Sequence, residues 1–181
     1  MRLRSFFRAA LAGFIICGIL ALDSAGSVSA PPLRIHVQWL TDAARGGRRA
    51  GSEGAAMSAQ YIASQFELMG LDVRMQEMGG NRRNVIARTG SGSKTIVLGA
   101  HYDGQGMGMP GASDNAAGVA VLLEVVRELK GMKLPVSITA VAFDDEEQGI
   151  IGSRYFLDHP PVPLESIDAA VIMDSMGRSF L

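Results

Sequence analysis

Three short apolar runs limit what this chain can become. They are "TIVLGA" (95–100), "VSITAVAF" (136–143) and "AAVIM" (169–173). Each has strand length, is rich in β-branched residues and lacks the polar alternation of a strand with one wet face. Continuous runs of this kind belong to strands buried on both sides. Helical patterns separate them. Val119, Leu122, Leu123, Val126 and Leu129 recur at steps of three and four, and "GIIGSRYFLDH" stops at Pro160. Strands alternating with helices predict an α/β fold: a three-layer αβα sandwich with a largely parallel central sheet.

The upstream half fits the same frame. Ala55, Ala59, Ile62, Phe66 and Met69 mark one face of a helix that Ser52 can cap and Gly70 can end. "LDVRMQEM" and "NVIAR", separated by Gly79 and Gly80, read as a half-buried hairpin in which Val73 and Met75 alternate with polar neighbours.

Residues 1–30 have a different composition. Arg2, Arg4 and Arg8 precede "AALAGFIICGILAL", and "DSAGSVSA" follows. A basic start, a short apolar run and a small polar segment make the layout of a secretory signal peptide, with Val28 and Ala30 at a cleavage site. The expected division is therefore a signal at 1–30 and a catalytic domain at 31–181, secreted or periplasmic. Contact with a membrane is expected only if the signal is kept as an anchor. Cys17, the single cysteine, lies inside the signal, so the mature chain has no thiol chemistry. Removing Arg2, Arg4, Arg8 and Asp23 leaves 14 basic and 17 acidic side chains, a net charge of −3. With no basic stripe and few aromatics, nothing points to nucleic acid. "RGGRR" (45–49) reads as a solvated loop.

The chemistry-bearing residues stand at the ends of the buried strands. The first run leads into His101-Tyr102-Asp103, the second into Asp144-Asp145-Glu146-Glu147, the third into Asp174. Parallel strands bring their carboxyl ends to one edge, where α/β sheets bind ligands. Asp114, at the start of the following helix, falls on the same side. So many carboxylates facing one imidazole repel one another unless a cation sits among them. Oxygen and imidazole donors without cysteine suit zinc, or cobalt or manganese. Asp114 is thus read as a metal ligand, and Asn115 as the start of the helix behind it.

In this order, "AHYDG", "GASDNAAGVAVLLE", "FDDEEQGIIGSRYF" and "VIMDSMGR" resemble the secreted co-catalytic zinc aminopeptidases and their di-zinc exopeptidase relatives. "RAGSEG" and "NVIAR" extend the resemblance over roughly residues 45 to 178. It implies two zinc ions and a peptide substrate cleaved at its N-terminus. His101 and Asp174 would hold one zinc, Asp114 would bridge both, and Glu147 would hold the second. Glu146 would be the general base, and Asp103 would accept the other N–H of His101. The bridging Asp in this family often precedes a cis peptide bond. The family's last metal-binding His has no counterpart here: His36 and His159 read as structural or exposed. The expectation is an incomplete, C-terminally truncated catalytic domain that leaves the Asp174 strand with an exposed apolar edge. The alternatives are a glutaminyl-cyclase-like enzyme with one zinc, or a peptidase-like binding domain without activity.

Overall fold

A computed structural model describes residues 30–177. The expected signal segment lies outside the described residues apart from Ala30. The first helix, α1, spans Ala30–Thr41. Pro31 and Pro32 sit in its first turn, where a missing backbone N–H costs nothing. Among the described residues no helix is long and apolar enough to cross a membrane.

α2 runs Glu53–Leu68. As the pattern predicts, Ser52 Oγ accepts from the Ala55 amide at 3.2 Å, and the chain leaves the helix through Gly70 at φ +77°. Two strands follow, β1 (Asp72–Gly79) and β2 (Arg82–Thr89), paired antiparallel around Gly79–Asn81. Then come β3 (Thr95–His101), α3 (Ala117–Leu129), β4 (Ser137–Phe143), α4 (Ile151–Asp158) and β5 (Ile167–Ile172).

The sheet order is β1-β2-β4-β3-β5. β3 is parallel to both β4 and β5, while β2 is antiparallel to β1 and to β4. Only β2 therefore runs against the others, and the three site-bearing strands are parallel as expected. The chain leaves β3 for β4 on one side and then crosses to β5 on the other. β3 is thus the switch point of the sheet, and a crevice opens beyond its carboxyl end.

Helices cover both faces. Ala59, Ile62 and Phe66 of α2 and Leu122, Leu123 and Val126 of α3 pack with Val85, Ala87, Ala100 and Ala140 on one face. On the other, Phe156 of α4 meets Ile86, Val97, Val141 and Phe143. Successive strand residues face opposite layers, so Val85 and Ile86 enter different cores. Gly99 lets the second layer close down: a Cβ there would stand 2.6 Å from the Phe143 ring and 2.8 Å from the Ile172 side chain.

Three expectations need correction or completion. The "AAVIM" run is not buried on both sides. Ala169 to Ile172 are exposed and only Met173 is buried, because β5 has a single neighbour, β3, among the described residues. "RGGRR" is not a solvated loop either, since Gly47 and Arg48 are buried. His36 is structural. It is buried between α1 and α3, its Nδ1 2.7 Å from the Tyr61 hydroxyl and its Nε2 3.3 Å from Glu124 Oε1. His159 is exposed and stacks on Tyr155 with ring centroids 4.1 Å apart.

Candidate active site

His101 is the last residue of β3, in register with Phe143 of β4, so its ring projects from the sheet edge beside the Asp144–Glu147 turn. Asp174 follows β5 by two residues. Asp114 lies in the kinked segment that enters α3, and the Asp114–Asn115 peptide bond is cis, as the resemblance implies. All of these residues meet at one edge.

Three of them form a compact cluster. His101 Nε2 lies 3.1 Å from Asp114 Oδ1 and 3.5 Å from Asp174 Oδ1. One donor atom from each residue falls within 4.8 Å of the others. Nε2 is buried yet makes no aligned hydrogen bond. A buried polar atom without a partner is costly, and an ion would satisfy it. The donor set, one imidazole with two carboxylates, matches what zinc accepts in an open site. The residues present therefore fit a metal.

Asp103 supports this cluster from behind. Its carboxylate is fully buried with Oδ1 3.4 Å from His101 Nδ1, and its main-chain carbonyl lies closer still, 3.3 Å from the same nitrogen. The same carboxylate accepts from the Glu146 amide at 3.0 Å and the Glu147 amide at 3.2 Å. Asp103 thus orients the imidazole through its carbonyl and carboxylate, and its carboxylate also fixes where both glutamates begin. Burial alone would favour neutral His101. The hydrogen bond and charge of Asp103, with Glu146 and Asp174 beyond, outweigh it and push the imidazole up to about 9.

The adjacent glutamates separate. Glu146 faces an apolar groove of about 340 Å³ shared with His101 and Asp174, between α4 and β5. Glu147 opens instead into a polar pocket with Arg49, Gly104, Gln105 and Gln148. Burial raises both carboxyls, and neighbouring acids add to it. Glu147 stands outside the three-residue cluster, and Asp114 is the acid that raises it most.

Several structural supports go beyond the sequence reading, which had Asn115 only at the start of the helix. Asn115 is fully buried. Its Oδ1 accepts from the Gly118 amide at 3.1 Å, and its Nδ2 donates to the Met173 carbonyl at 2.9 Å. It caps α3 and ties the residue after Asp114 to the residue before Asp174. Asn84, buried in β2, donates to Gln76 and to the Gly152 carbonyl and accepts from the Asp144 amide. It anchors the turn that carries both glutamates, and an Asn at the head of the apolar "NVIAR" run was its signal. Asp144 accepts from the Arg83 and Asp145 amides, and burial pushes its carboxyl up to about 6. Asp145 pairs with Arg82 at 2.7 Å. These two acids are occupied in shaping the turn.

Comparison with known proteins places the chain among peptidases and related folds. The chain is 41% identical over 86 residues to aminopeptidase YwaD of Bacillus subtilis, a match covering 47% of this chain and 19% of that protein. Its fold superposes on a leucine aminopeptidase precursor from Bacteroides thetaiotaomicron with a TM-score of 0.73 at 22% identity, covering 85% of this chain and 64% of that one. The glutaminyl cyclase of Porphyromonas gingivalis gives a TM-score of 0.70 at 26% identity, covering 84% and 61%. The chain spans less than half the length of the curated relatives it matches. Peptidase family M28 matches residues 84–180, more than half of the sequence and every residue of the cluster, and the chain belongs to that family.

Proposed function

We propose that this chain supplies the first portion of a zinc-dependent exopeptidase that removes N-terminal residues from peptides. The observation that carries the reading is the buried, unpartnered Nε2 of His101 facing Asp114 and Asp174, with Glu146 alongside. His101, Asp114 and Asp174 would hold one zinc. Asp114 and Glu147 would contribute to a second. Zinc at such a site polarises a scissile carbonyl and lowers the pKa of a water.

The chain's own residues do the rest. Glu146 Oε takes the proton of the attacking water and returns it to the leaving amine. Its raised pKa, set by burial, suits a group that must both accept and give a proton. Asp103 holds the His101 tautomer that leaves Nε2 free, and fixes the backbone from which Glu146 reaches out. The surrounding acids favour a substrate whose α-amine is charged, and the groove beside Glu146 offers an apolar wall to its side chain. The second metal position receives Glu147 and a share of Asp114 from the described residues, so completing it takes a further ligand. We also propose that residues 1–30 direct export, which N-terminal sequencing of the mature protein checks.

The paired variants Glu146→Ala and Glu147→Ala test the assignment. In a complete, zinc-loaded enzyme, Glu146→Ala removes hydrolysis of an aminoacyl anilide and keeps metal content, whereas Glu147→Ala loses metal too. Equal metal loss in both would show that the roles are misassigned. The compact three-residue cluster also accommodates a one-metal glutaminyl cyclase. Cyclisation of an N-terminal glutamine, without anilide hydrolysis, would favour that reading instead.

A further inference from the structure

Arg48 occupies the position where the sequence suggested solvent. It is 0% exposed. Its guanidinium donates to four main-chain carbonyls: Tyr102 at 2.9 Å, Leu40 at 2.8 Å, Pro110 at 2.6 Å and Gly111 at 3.0 Å. Leu40 belongs to α1. The other three bracket the loop that leaves β3 and returns to the kink before α3. That loop carries Asp103 near one end, and Asp114 follows the other.

The backbone around Arg48 binds the same loop. The Gly104, Gly106 and Gly108 amides donate to the Arg48, Gly47 and Gly46 carbonyls at 3.1, 3.2 and 3.3 Å. Two glycine-rich stretches, "RGG" and "DGQGMG", therefore lie alongside one another. The approach leaves no room for side chains: a Cβ on Gly47 would stand 2.8 Å from the Gly106 carbonyl oxygen, and one on Gly104 would stand 2.7 Å from that of Gly47. A Cβ on Gly111 would come within 2.9 Å of Arg48 Nη2.

A buried cation needs compensation. Among the described residues Arg48 makes no ion pair with a carboxylate, yet Asp103, Asp114 and Glu147 all act on its charge and oppose the effect of burial. Its hydrogen bonds go to carbonyls while its field falls on the acids, so it draws none of their oxygens into an ion pair. Arginine can do this because a rigid fork of donors serves several acceptors at once; a lysine cannot match that geometry.

We propose that Arg48 is a positioning residue: with Gly46 and Gly47 it clasps the Tyr102–Gly111 loop, so that Asp103 stands behind His101 and Asp114 stands in ligand geometry before any ion binds. The proposal rests on the metal-site reading above. It acts through those two residues, and Arg48 itself touches neither metal nor substrate.

Hydrogen exchange on the unaltered, metal-free full chain is the first test. The clasp requires slow exchange at the Gly104 and Gly106 amides without zinc. Open-loop exchange there, slowed only when zinc is added, overturns it. The second test is Arg48→Lys, which keeps the charge and loses the fork. Zinc affinity, measured by chelator competition, should fall about 10- to 100-fold, the range for loss of a group that orients a metal ligand. Leu122→Ala in α3 supplies the contrast: it lowers the unfolding midpoint and leaves the zinc affinity of the folded protein unchanged. A folded Arg48→Lys protein with unaltered zinc affinity also overturns the proposal. Should that variant fail to fold, the exchange result on the unaltered chain decides. Failure of the unaltered chain to bind zinc would sink the metal reading, whereas the exchange rates still judge the clasp.

Discussion

Replacing Asn115 with alanine isolates the joint between the two carboxylate ligands. Asn115 is fully buried, and its amide satisfies two buried main-chain groups, the Gly118 N–H and the Met173 carbonyl. Alanine can satisfy neither. Each orphaned group costs about 1–3 kcal/mol, so the loss should be about 2–6 kcal/mol. That is a large part of the stability of a domain this size, which is about 5–15 kcal/mol. The corresponding fall in Tm is roughly 5–20 °C. Urea unfolding of the metal-free chain should show a lower midpoint with an unchanged slope, since the surface exposed on unfolding hardly changes. Zinc affinity should fall about tenfold or more, because Met173 precedes Asp174 and Asn115 follows Asp114. A stability loss below about 1 kcal/mol would mean the two groups find other partners. A full loss with unchanged zinc affinity would show that the joint does not set the spacing of the two carboxylates.

Zinc binding should release about one proton near neutral pH, because the His101 imidazole of the metal-free chain, pushed up to about 9, must give up its proton to become a ligand. The apparent Kd should therefore rise about tenfold per pH unit as pH falls below 9, and a flat profile from pH 6.5 to 8.5 would contradict it. The same raised pKa stabilises the metal-free fold fully below the ordinary histidine value and loses that contribution as pH rises through about 9, so the metal-free Tm should decline over that window. Gly118→Ala should destabilise strongly, because its Cβ would press on Asn115 Oδ1 and stand 2.5 Å from the Met173 carbonyl oxygen; wild-type urea stability would refute this. Gly152→Ala should disturb the glutamate turn, since its Cβ would run into the Asp144 carbonyl and stand 2.6 Å from Asn84 Oδ1; undiminished thermal stability would refute that packing.

The local pattern made much of this molecule legible. Helical spacing located α2 and α3, and Ser52 and Gly70 marked the ends of α2, because caps and apolar faces are properties of neighbouring residues. Convergence of His101, Asp114 and Asp174 followed from topology alone, since parallel strands must end at a common edge. Asp103 lay within two residues of His101, so its supporting position was also within reach of the sequence.

Other features depend on contacts between distant segments. Nothing near Arg48 distinguishes it from Arg45 or Arg49. It is buried because Leu40, Tyr102, Pro110 and Gly111 place four carbonyls around it. The reversal of β2, the grip of Asn115 on Met173 and the separation of Glu146 from Glu147 into different pockets arise in the same way. The exposure of Val171 and Ile172 shows the limit most directly: an apolar run states what a strand is able to bury, while the strands and helices packed beside it decide what is buried. Sequence alone thus determined the edge at which His101, Asp114 and Asp174 meet. Tertiary structure decided how they are held apart and aimed, because those positions are set by hydrogen bonds and close approaches across tens of residues of chain.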